Sequence, residues 1–112
     1  MTDIFANCVP HGATLSTFVG GMDVDSLEVR ACCVIEDEET GDEHISPDAT
    51  LFDIALFAIF IRAGADLIPL HDLEDVGPDT DLAAAQAKAI DYAAKLAQAV
   101  GLPPSVVVAV GY

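Results

Sequence analysis

Residues 54–61, Ile54-Ala55-Leu56-Phe57-Ala58-Ile59-Phe60-Ile61, are the longest uninterrupted apolar run in the chain, and the fold turns on how they are read. Asp53 and Arg62 bound them. A membrane span needs about 20 apolar residues, so eight are too few to cross a bilayer. An apolar run this short is a buried helix segment or a buried strand, and periodicity alone does not separate the two. The flanking residues favour a helix. Ser46-Pro47-Asp48 has an N-capping hydroxyl, a proline suited to the first helical position and a carboxylate for the positive end of the dipole. Gly64 is a natural stop. The expectation is therefore a helix over 47–63, apolar nearly all round and buried on several sides.

Upstream, Leu27-Glu28-Val29-Arg30-Ala31-Cys32-Cys33-Val34-Ile35-Glu36 has period two. It predicts a strand with Leu27, Val29, Ala31, Cys33 and Ile35 towards a core. Residues 13–19 (ATLSTFV) have β-branched and aromatic content, with Gly20-Gly21 and 23–26 as a turn, so they predict the other half of a hairpin. Residues 4–9 suggest a further short strand. Residues 43–45 suggest a brief return strand, and 66–70 an extended segment.

Downstream, Lys88, Asp91, Lys95 and Gln98 recur at helical spacing and mark one solvent-facing stripe. Asp79 or Thr80 would cap a helix over about 81–100, and Gly101 and Pro103-Pro104 would end it. Residues 105–112 (SVVVAVGY) predict a buried, central strand. The predicted fold is α+β, one domain over 1–112: a small, mainly antiparallel (mixed) sheet of three to five strands with two helices packed on one face, in the order β-β-(β)-α-α-β.

The 112 residues carry 19 carboxylates against four Lys plus Arg, a formal net charge of −15, with 53% hydrophobic residues. The apolar content argues against disorder, and the charge argues against direct binding of nucleic acid or anionic lipid. The charge is unevenly spread. Residues 1–81 hold every carboxylate except Asp91. They gather in 36–43 (Glu36, Asp37, Glu38, Glu39, Asp42, Glu43) and in 72–81 (Asp72, Glu74, Asp75, Asp79, Asp81).

Two readings compete. In the first, the acid is a face for a basic protein partner, presenting spaced negative charge as a phosphate backbone does. That is the mode of small acidic inhibitors of nucleases, restriction enzymes or CRISPR effectors. The two clusters would then be partner-binding anions, with no catalysis, no cofactor and no metal. In the second, the acid only keeps the chain soluble, in the extreme as salt adaptation of an ordinary accessory domain. Salt adaptation should acidify every exposed surface, yet the stripe of the second helix carries two Lys and one Asp. The first reading is therefore preferred.

A small enzyme or metal-binding domain ranks third. Cys8 and His11 have C-x-x-H spacing, and Cys33 and His44 could join them, but nothing in the sequence fixes their convergence. Asp23-Val24-Asp25 starts like a calcium loop but lacks its later ligands. There is no nucleophile-elbow or phosphate-loop pattern. Residues 1–4 have no basic leader character, and three cysteines are an odd number, so reduced thiols in a cytoplasmic protein are expected. Residues 82–112 carry only three charges, and their apolar surface suggests a homodimer.

Overall fold

The structure is a computed structural model describing residues 6, 8–9, 12–46, 54, 56–75 and 81–110. The elements are α1 (Leu15–Gly20), β1 (Ser26–Glu36), β2 (Glu43–Ser46), β3 (Leu56–Ala63), β4 (Asp66–Asp75), α2 (Leu82–Ala99), a 3-10 turn (Pro104–Val106) and β5 (Val107–Val110). The class is α+β with a mixed sheet, and the element order is α-β-β-β-β-α-β.

β1 is the organising strand. Its first half lies between β3, antiparallel from Ser26↔Arg62 to Cys32↔Leu56, and β5, parallel from Leu27↔Val107 to Arg30↔Val110. Its last four residues pair with β2, from Cys33↔Ser46 to Glu36↔Glu43. β4 lies antiparallel on β3. The core of the sheet is thus β5-β1-β3-β4. β4 and β5 both run with β1, so the connection through α2 crosses from one edge of the sheet to the other. That crossing lays α2 over the strands between.

From Leu56 onward the apolar run belongs to β3, not to a helix. All six residues 56–61 are buried. Phe57, Ile59 and Ile61 face the cluster shared with α2, while Leu56, Ala58 and Phe60 share a second cluster with Cys32. An interior strand covered on both faces has no reason to alternate, so its sequence is as apolar as a buried helix. Residues 47–53, where the proposed helix start falls, lie outside the described residues. Gly64, expected as a helix stop, instead has φ +62 in the two-residue turn between Ala63 and Asp66. Glycine takes that conformation without steric cost.

Residues 15–20 are helical where a strand was expected. Thr14 caps α1, its hydroxyl accepting the Thr17 amide at 3.1 Å. The cap outweighs the β-branched content, so the expected 13–19/27–36 hairpin does not form. Of the expected 4–9 strand, the described residues Ala6, Cys8 and Val9 are not in a strand; the Cys8 amide donates to the Leu70 carbonyl on β4. β5 starts at Val107, later than expected, and among the described residues it pairs with β1 alone, at an edge and not at the centre. The 66–70 segment is extended as read, but it continues to Asp75.

The main core joins Leu27, Val29, Ala31, Phe57, Ile59, Ile61 and Leu70 of the sheet to Ala89, Ala93, Leu96 and Ala97 of α2 and Val19 of α1. Alanines at 89, 93 and 97 recur every four residues, and their small side chains let the helix lie close to the sheet. Asp81 caps α2, accepting from the Ala83 and Ala84 amides at 3.0 and 3.3 Å. The cap therefore sits one or two residues later than expected. No helix among the described residues is long and apolar enough to cross a membrane.

Candidate functional site

The turn between β1 and β2 carries the first acidic cluster. The Asp37 amide donates to the Asp42 carbonyl at 2.7 Å, and the Gly41 amide to the Asp37 carbonyl at 2.7 Å. Gly41 has φ +74, a value that suits glycine. The Asp37 carboxylate accepts the Glu39 amide at 2.9 Å, and the Thr40 hydroxyl accepts the Asp42 amide at 3.3 Å. The turn is therefore held by its own hydrogen bonds. Glu36, Asp37, Glu38, Glu39, Asp42 and Glu43 are all exposed.

The five acids of the second cluster are not one loop. Asp72 is half-buried on β4 and interacts electrostatically with Cys8 and Cys32. Glu74 and Asp75 end β4. Asp79 lies outside the described residues. Asp81 is exposed, but its carboxylate is engaged by the first turn of α2.

Sequence reading missed a charged cluster on the second face of the sheet. Glu28 is only 7% exposed. Arg62 Nε donates to its Oε2 at 2.7 Å and Nη2 to its Oε1 at 3.4 Å. Arg30 Nε and Nη2 reach Oε1 at 2.8 and 2.7 Å. The Arg62 hydrogen bonds hold the Glu28 carboxyl below the usual carboxylate range against the opposing effect of burial, with Arg30 adding to them. The spacing Glu28-x-Arg30 on one strand face was the available signal. Arg62 needed the register, which sets it opposite Ser26, diagonal to Glu28. The chain's two arginines thus both serve one buried carboxylate, and its two lysines are both on α2.

Of the groups considered for chemistry, Cys32 and His71 are buried, while Cys8 and Cys33 are half-buried. Burial pushes the Cys32 thiol up to about 12. Burial, followed by Asp72, raises Cys8. Both thiols are therefore protonated near neutrality, which is the unreactive form. His71 is buried and stacks on Tyr92 of α2, with ring centroids 4.5 Å apart at 11°. Burial lowers its pKa, against an opposing effect of Asp72. His11 lies outside the described residues, and the register places His44 opposite Ile35. Among the described residues, no three His, Cys, Asp or Glu side chains gather as metal ligands would. No family model, curated protein or solved structure matches the chain.

Proposed function

We propose that the chain is a non-catalytic interaction protein whose acidic β1–β2 turn binds a basic protein surface, of the kind that ordinarily holds nucleic acid, and blocks it. The observation that carries this reading is the turn itself: six exposed carboxylates on a hydrogen-bonded hairpin, in a chain whose arginines are both held at Glu28. Fixed anions lose less conformational freedom on binding than anions on a floppy tail. Their field also steers a basic partner into place. The protonated thiols of Cys8 and Cys32 and the stacked His71 support a role without nucleophilic catalysis. Solvation alone would explain the charge equally well on any surface, but the exposed stripe of α2 keeps Lys88 and Lys95 beside Asp91.

The test is capture of cell proteins on the immobilised chain at about 0.05 and about 0.5 M salt, with identification by mass spectrometry. Retention of a basic nucleic-acid-binding protein at the lower salt, released at the higher, is the expected result. If no basic protein is retained in a salt-sensitive way, the acidity is solvation and the proposal fails.

A further inference from the structure

The two edges of the sheet are built differently. β4 carries Asp66, Asp72, Glu74 and Asp75, has Pro69 in its middle, and receives the Cys8 amide on the Leu70 carbonyl. Charges, prolines and covering segments are the devices that stop an edge from taking another strand. β5 has no charge and no proline. Among the described residues it pairs with β1 alone. Val108 is 43% exposed and Ala109 is exposed as well. Residues 101–112 contain no charged side chain.

We propose that β5 is a homodimerisation edge, on which two copies pair β5 to β5, antiparallel about a twofold axis, and join their sheets. Charge selects the occupant. A basic partner gains nothing from an edge with no carboxylate to answer it. A second copy carries the same −15 and is repelled over most approaches, but at this edge two uncharged strands meet. The acidic turn is out of range: β5 ends opposite Arg30, and the turn starts six residues further along β1, roughly 20 Å at strand rise and more than two Debye lengths at physiological salt. Antiparallel pairing also sends the two acidic turns to opposite ends of the joined sheet, whereas parallel pairing would set them side by side. The same twofold arrangement makes the edge complementary to itself.

Sedimentation equilibrium at high protein concentration, at about 0.05 and about 0.5 M NaCl, tests this. The expected result is a monomer–dimer equilibrium that tightens with salt, because screening removes the repulsion between copies. That dependence is opposite in sign to the one expected for the acidic turn and its basic partner, so the two proposals stand or fall separately. Val108→Lys and Ala109→Asp, both at exposed positions, should each weaken the dimer by roughly tenfold or more, since each sets like charges together across the axis. One raises the net charge and the other lowers it, so loss in both reports the contact and not the total charge. Circular dichroism checks that each variant remains folded. A chain that stays monomeric at both salts overturns the proposal, as does a dimer that both substitutions leave intact.

Discussion

Glu28 shows how much one carboxylate can demand of a chain with so few cations. Its two arginine partners come from its own strand and from the diagonal position on β3. Removing one partner leaves a buried charge under-compensated. Arg62→Met should therefore lower the urea midpoint at about pH 7, and the deficit relative to the native chain should shrink at about pH 3.5. The sign follows from the depressed pKa of Glu28. Its contribution is present above the ordinary value of 4.5 and is lost as pH falls through the folded-state value. A deficit of equal size at both pH values would mean that Arg62 acts by packing alone. His71 titrates in a higher window. Its folded-state pKa lies below 6.5, so the unfolded chain takes up a proton first, and stability is lost as pH falls from 6.5 towards the folded value. Tyr92 lies against the ring and Asp72 opposes the shift, so the effect is best isolated as a difference. Relative to His71→Phe, the native chain should lose stability between about pH 7.5 and about pH 5.5, measured by urea unfolding at each. No such relative loss would place His71 in contact with solvent.

β3 and α1 are the elements that sequence patterning assigns wrongly, for related reasons. β3 is buried on both faces, so the alternation that betrays a strand is absent, and Ser46, the expected helix cap, ends β2 instead. α1 is only six residues long, and its signature is one threonine cap within a β-branched context. β1 was legible from its alternation because its upper face meets a core and its lower face keeps Glu28 and Arg30. Its far end shows the limit of that pattern: Ile35, in phase with the core residues, is 42% exposed, in the stretch where β1 pairs with β2. α2 was legible because a helix with one solvated stripe keeps its period. The acidic turn was legible as composition, while the Glu28 cluster was not, since a register is needed to bring Arg62 to it. These assignments have energetic consequences. Phe57 is buried on the α2 side of β3, and Phe57→Ala should cost about 3–5 kcal/mol by denaturant unfolding. Asp81→Ala removes the cap of α2 and should cost about 1 kcal/mol.

Across the whole molecule, the acid is an electrostatic load on folding as well as a candidate face. A net charge of −15 on a chain this small repels itself, and most of the six carboxylates at the β1–β2 turn have no stabilising role in the turn. Asp37 is the exception, since its carboxylate holds the Glu39 amide, so a clean test leaves it in place. In the turn, Asp42 takes part through its backbone, its amide donating to Thr40 and its carbonyl accepting from Asp37. The combined variant Glu38→Gln, Glu39→Gln, Asp42→Asn therefore keeps the hairpin bonds and removes three charges. At about 0.05 M salt its urea midpoint should exceed that of the native chain, and at about 0.5 M the two should converge as screening removes the repulsion. The same variant should bind any captured basic partner more weakly and with a shallower dependence on salt. Stability gained together with binding lost is what a functional anionic face predicts, because the charges are then kept at a cost to the fold. If the native chain needs molar salt to remain folded and the variant does not, while neither retains a basic partner, the acid is an adaptation of the surface to salt.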